Sequence, residues 1–69
     1  MKPWEIIADN LSKAGFSVGW VLPREDYGRR VWIVDAHRNG TQFIVRADEI
    51  LTAFLELERA VCVHLLSEA

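Results

Sequence analysis

Asp35 and His37 are the residues of this chain whose types and spacing could support acid–base chemistry. They lie two positions apart in WIVDAHR (residues 32–38), and residues two apart in a β-strand project from the same face of a sheet. A carboxylate beside an imidazole can orient the ring, as it does in hydrolytic triads. The nucleophile would have to come from Ser17 or Thr41. The spacing therefore allows a small hydrolase or nuclease, although an open sheet face would not exclude water from the site.

Four arginines form a second candidate set. They flank the predicted second strand near Tyr27 and Trp32, and basic residues interleaved with aromatic ones can hold single-stranded nucleic acid. The net charge of -2 and the pI near 5.5 oppose binding to a polyanion, because such binding depends on basic side chains that displace counterions. Nucleic-acid binding is therefore the alternative to a solvated surface of mixed charge. The four residues are Arg24, Arg29, Arg30 and Arg38.

Hydrophobic periodicity predicts five elements in the order α-β-β-β-α. Pro3 suits the first turn of a helix, and Gly15 can take the left-handed conformation that ends one. Alternating apolar residues then predict three strands, which short connections make antiparallel. We expect an α+β fold with a three-stranded antiparallel sheet and both helices packed on one face. The predicted ranges are helix 1 from Pro3, strands over Phe16 to Leu22, Arg30 to His37 and Thr41 to Arg46, and helix 2 from an N-cap at Asp48 to Leu66.

The dipeptide Asn39-Gly40 predicts a hairpin with a two-residue type I′ turn. That turn would place Val34 opposite Val45 on the core face, whereas a three-residue turn with a bulge at Gly40 would shift the register by one. We prefer the first because it separates apolar from polar residues better. Asp35 could then form a salt bridge with Arg46 or Arg38. The reverse face becomes a candidate binding surface that consists of Ile33, Asp35, His37, Ile44 and Arg46.

The end of helix 2 is a candidate self-association surface. Its sequence AVCVHLL (residues 60–66) is apolar all round, as expected of a helix that is buried on several sides. We expect a homodimer here, unless this end folds against Trp4, Trp20 and helix 1. Cys62 reads as a small buried hydrophobe. The predicted interface residues are Leu57, Val61, Val63, Leu65 and Leu66.

Length and composition limit the remaining function classes. The 69 residues form one domain (1–69), and the 51% of hydrophobic residues indicates an ordered fold. A lone cysteine excludes an internal disulfide, and its spacing from the two histidines predicts no metal or cofactor. The N-terminal segment is neither a signal peptide nor a membrane span, so we expect a cytoplasmic protein without membrane contact.

Two segments carry a family resemblance that covers most of the chain. WIVDAHR (32–38) and FIVRADEILTAFLELE (43–58) resemble a family of small uncharacterised bacterial proteins. The resemblance implies a bacterial origin and supplies no activity, so it assigns no functional residue.

The element order is also similar to that of double-stranded-RNA-binding domains. In that family a Lys-rich start of helix 2 and a His in the loop after strand 1 hold the RNA. This chain has Asp48 and Glu49 at the helix start and REDYGR (24–29) in the loop, and acids there repel phosphate. His37 similarly resembles the strand-borne catalyst of small RNA-cleaving toxins, but the chain lacks their glycine-serine-histidine motif.

The apolar excess without a catalytic constellation leads to one preferred hypothesis. We expect a non-enzymatic protein–protein interaction domain that acts as a homodimer or as the small partner subunit of another protein. The alternative is a nucleic-acid-associated module, either an RNA binder or a toxin–antitoxin-like partner. The third hypothesis is the hydrolase or nuclease centred on Asp35 and His37.

Overall fold

A computed structural model describes residues 2–21 and 31–68 and shows five elements in the predicted order. The strands form one antiparallel sheet in the order β1-β2-β3, so β2 is central. The predicted α+β fold class is confirmed. The predicted end of strand 1, the REDYGR loop and the predicted start of strand 2 lie outside the described residues. The elements are α1 (Pro3–Lys13), β1 (Ser17–Val21), β2 (Trp32–Arg38), β3 (Thr41–Ala47) and α2 (Ile50–Glu68).

The hairpin between β2 and β3 has the predicted two-residue turn. Asn39 has a φ of 51° and Gly40 a φ of 82°, and a type I′ turn requires positive φ at both positions. Val34 accordingly pairs with Val45, so the predicted register is confirmed and the bulged alternative is excluded. The turn therefore decides which side chains face the helices and which face away.

The end of α1 is a Schellman motif around Gly15, which has a φ of 94°. The amide of Gly15 donates to the carbonyl of Ser12 at 3.0 Å, and the amide of Phe16 donates to the carbonyl of Leu11 at 3.1 Å. These two bonds satisfy carbonyls that a helix end leaves without partners. They also reverse the chain direction and bring Phe16 into the core, where it is 4% exposed.

Both helices pack on one face of the sheet. α2 lies over β2 and β3, and α1 packs against α2 and β1. Val34 and Ala36 of the central strand are fully buried on this face, whereas Trp32, Phe43 and Val45 are partly buried around them. The apolar residues on this side of the hairpin are therefore explained by packing against the helices. The buried core consists of Ile7, Ala8, Leu11, Phe16, Val34, Ala36, Ala53, Phe54, Leu57 and Val61.

The start of α2 lies later than the sequence predicted. The amide of Ala53 donates to the carbonyl of Glu49 at 3.0 Å, which makes Glu49, rather than Asp48, the N-cap residue. β3 continues to Ala47, so the chain needs both Asp48 and Glu49 to leave the sheet before the helix begins at Ile50. Neither described helix combines the length and the apolar character that would let it cross a membrane.

Candidate functional site

The reverse face of the sheet carries all five predicted binding residues. Side chains alternate along each strand, so the face is a grid of three positions from each of the three strands. Ile44 is 58% exposed and Val21 is 55% exposed, because both helices lie on the other face. The grid consists of Ser17, Gly19 and Val21 on β1, Ile33, Asp35 and His37 on β2, and Gln42, Ile44 and Arg46 on β3.

Asp35 and His37 come together at one end of this face. The Oδ2 atom of Asp35 lies 3.7 Å from the Nδ1 atom of His37, which is an ion-pair distance but longer than a hydrogen bond. Ser17 lies directly opposite His37 on β1. The structure thus places the carboxylate beside the imidazole rather than beside Arg46 or Arg38, the two partners that we had expected from the sequence.

The carboxylate of Asp35 leans over Gly19, its partner across the β1–β2 ladder. A Cβ atom at Gly19 would come within 2.7 Å of the Oδ1 atom of Asp35, a contact that side chains do not tolerate. Glycine therefore makes room for the carboxylate. Sequence reasoning missed this role, although a glycine inside a strand often marks a close approach of another group.

This arrangement brings a carboxylate near an imidazole but does not enclose a site from which water is excluded. The side chain of His37 is 57% exposed and that of Asp35 is 32% exposed, so water reaches both groups. Strong stabilisation of a transition state needs fixed dipoles in a site from which water is excluded. In the part of the chain that the structure describes, no three His, Cys, Asp or Glu residues converge to hold a metal ion. The hydrolase hypothesis accordingly stays a prediction.

Arg38 links the end of β2 to the end of α1. Its Nη1 atom donates to the carbonyl oxygen of Ala14 at 2.9 Å, and its Cζ atom lies 4.5 Å from the centre of the Phe16 ring. A cation at the end of a helix interacts favourably with the helix dipole, and a guanidinium over an aromatic ring adds a cation–π contact. The other members of the predicted basic set, Arg24, Arg29 and Arg30, lie outside the described residues.

Three of the five predicted interface residues on α2 contribute to the chain's own core. Leu57 is fully buried, Val61 is 2% exposed, and Leu65 packs partly buried against the same cluster. They are covered because α1 and the sheet pack against this side of α2. Val63 and Leu66 remain exposed, by 56% and 76%. The predicted interface residues are therefore partly in the core and partly exposed to solvent.

A second apolar surface follows α2 on its outer side. Leu51, Leu55, Cys62 and Leu66 are spaced by four, seven and four residues, which puts them on one side of an α-helix. All four are exposed, with 50% exposure at Leu55. We call this set the α2 stripe. Its exposure corrects the expectation that Cys62 is buried, since the buried side of the helix is centred on Phe54, Leu57 and Val61.

Sequence reasoning missed Leu51 and Leu55 as surface residues. Their spacing from Cys62 and Leu66 indicates one common side of the helix. This pattern is hard to recognise in the sequence because α2 carries apolar residues on all of its sides. Val63, although as exposed as Leu55, follows Cys62 by one position and therefore lies about 100° away around the helix. It belongs to the side of α2 that faces Phe43, where both residues line the same shallow depression.

No known protein-family model matches this chain, and neither a curated protein nor a solved structure matches it. The resemblances to the small bacterial family and to the layout of double-stranded-RNA-binding domains therefore stay predictions.

Proposed function

We propose that this chain is a non-enzymatic protein-interaction domain that forms a homodimer through the α2 stripe. The observation that carries the proposal is the exposure of four apolar residues in line on one helix. Single exposed hydrophobic residues are common on monomers, whereas several exposed apolar residues in line on one helix are typical of an interface. The opposite side of the same helix already fills the core, so the stripe is not needed for folding of the single chain.

The small size of the domain favours a second copy as the partner. A chain of 69 residues buries only about 60% of the surface that its unfolded form exposes, and self-association is one of the few ways to add apolar burial. The chain has a single cysteine, so it cannot form an internal disulfide. Among the residues that the structure describes, no cluster of side chains could hold a metal ion. Burial of apolar surface against a second copy is therefore a way in which this chain can gain further folding stability.

The stripe is also self-complementary. An antiparallel pair of α2 helices, centred between residues 58 and 59, sets Leu51 level with Leu66 of the second copy and Leu55 level with Cys62. Every apolar residue of the stripe then meets an apolar residue of the other copy. A two-fold axis repeats each contact, so one favourable pairing stabilises the interface twice.

Sedimentation velocity of matched variants tests the proposal. We expect the wild type to be a dimer at high micromolar concentration and Leu55→Glu to be a monomer, because the substitution buries a charge in the interface. Val63→Glu is the control, since Val63 is as exposed as Leu55 but lies on another side of α2. Circular dichroism verifies that both variants fold. A monomeric wild type, or a dimer that Val63→Glu disrupts and Leu55→Glu preserves, would contradict the proposal.

Cross-linking tests the antiparallel arrangement. In Leu55→Cys, the new thiol lies about 10.5 Å along the helix from Cys62 of its own chain, too far for an internal disulfide. Oxidation should therefore give disulfide-linked dimers of Leu55→Cys and leave the wild type unlinked. Efficient linkage of the wild type through Cys62 alone would instead show a parallel pair of helices.

A further inference from the structure

A small cleft opens at the turn end of the hairpin, away from the α2 stripe. It has a volume of about 140 Å³ and is lined by Phe16, Arg38, Asn39, Thr41 and His64. These residues come from the segment after α1, from the adjoining ends of β2 and β3 with the turn between them, and from α2, so only the folded chain assembles the cleft. We propose that it binds a small oxyanion of the phosphate type.

Arg38 is the residue that would hold the anion. Its bond to Ala14 and its position over the Phe16 ring restrain the guanidinium before any ligand arrives. A guanidinium has five N–H donors in a planar fork that matches carboxylates and phosphates, and the bond to Ala14 uses one of its nitrogens. A restrained donor loses little conformational entropy on binding, which favours recognition even in a shallow site.

The neighbouring groups suit an anion. Thr41 lies directly opposite Arg38 in the last pair of the β2–β3 ladder, and Asn39 follows Arg38 in the turn, which brings a hydroxyl and an amide to the same cleft. None of the five lining side chains is acidic.

The volume limits the ligand to a small ion. Pockets for drug-sized molecules measure roughly 300–1,000 Å³, so a cleft of about 140 Å³ has no room for a nucleobase with its sugar. An inorganic oxyanion, or the terminal phosphate or carboxylate of a larger molecule, fits this limit. The shared chemistry is an oxyanion that accepts hydrogen bonds from several directions.

An NMR titration with inorganic phosphate, at an ionic strength held constant with sodium chloride, tests this inference. We expect saturable shifts of the backbone amides of Asn39, Gly40 and Thr41. Thr41→Val keeps the shape of the side chain but removes the hydroxyl, and it should weaken phosphate binding by roughly tenfold. Arg38→Lys, which keeps the charge but loses the planar fork, should also weaken phosphate binding.

Arg46→Gln is the matched control because it removes one positive charge from the reverse face of the sheet, away from the cleft. It should change the affinity by less than about twofold, since exposed charges at a distance are screened by salt. Shifts that do not saturate, or equal weakening by Arg46→Gln and Thr41→Val, would overturn the proposal. A parallel titration with acetate distinguishes the two ligand classes. Acetate that binds as tightly as phosphate would support a carboxylate as the natural oxyanion.

Discussion

Gly19 lies directly opposite Asp35 across the β1–β2 ladder, and the Asp35 carboxylate fills the space that a side chain at residue 19 would need. A Cβ atom there would be 2.7 Å from Oδ1 of Asp35. The same carboxylate reaches within 3.7 Å of His37 through its other oxygen. Among the described residues of this face, Asp35 carries the only carboxylate, and its position depends on the absence of a side chain at residue 19.

Gly19→Ala should stabilise the protein less in the wild type than in an Asp35→Ala background. In the wild type the new methyl group displaces the Asp35 carboxylate, which offsets the advantage of alanine over glycine in a strand. In Asp35→Ala the obstacle is absent, so Gly19→Ala should raise the free energy of unfolding by about 0.5–1 kcal/mol. Urea denaturation of the four proteins measures the coupling, which we expect to be at least about 0.5 kcal/mol. Identical effects in both backgrounds would show that the two residues are independent.

Phe54 should be the most sensitive position of the core. Its ring stacks on Trp4 at a centroid distance of 5.6 Å and meets Trp20 edge-on at 5.9 Å. Phe54→Ala should cost about 3–5 kcal/mol because it leaves a cavity between these rings. Domains have roughly 0.05–0.15 kcal/mol of stability per residue, so this loss is comparable with the total stability of so short a chain.

Tryptophan fluorescence during urea denaturation measures the effect of Phe54→Ala, since Trp4 and Trp20 both contact the missing ring. Ile6→Ala is the control because Ile6 is 48% exposed, and it should change the free energy of unfolding by less than about 0.5 kcal/mol. If Phe54→Ala were as mild as Ile6→Ala, the aromatic cluster would not be the centre of the core.

Cys62 should report on self-association through its reactivity. It is exposed in the single chain, so Ellman's reagent should modify it rapidly in dilute protein. If the α2 stripe forms the dimer interface, the reaction should slow as the protein concentration rises, because the second copy covers the thiol. Leu55→Glu should abolish this dependence and keep the rapid rate. A wild-type rate that is independent of protein concentration, under conditions where sedimentation shows a dimer, would place the interface elsewhere.

The architecture of this protein could be predicted from the sequence because its signals are local. The Asn39-Gly40 turn sets the hairpin register through the φ angles of two adjacent residues, and Gly15 ends α1 in the same way. Alternation along β2 then distinguishes the core side of Val34 from the reverse side of Asp35. These features depend on neighbouring residues and on a fixed period, both of which can be read directly from the chain.

The location of the candidate sites was decided only by the tertiary structure. α2 carries apolar residues on all of its sides. Its sequence therefore does not show that α1 and the sheet cover Leu57 and leave Leu55 exposed. In the sequence, Arg38 is only one of several basic residues. The fold brings it to Ala14, which lies 24 positions away in the chain. The physical reason is the same in both cases: burial and pairing depend on contacts between distant segments, which local periodicity does not encode.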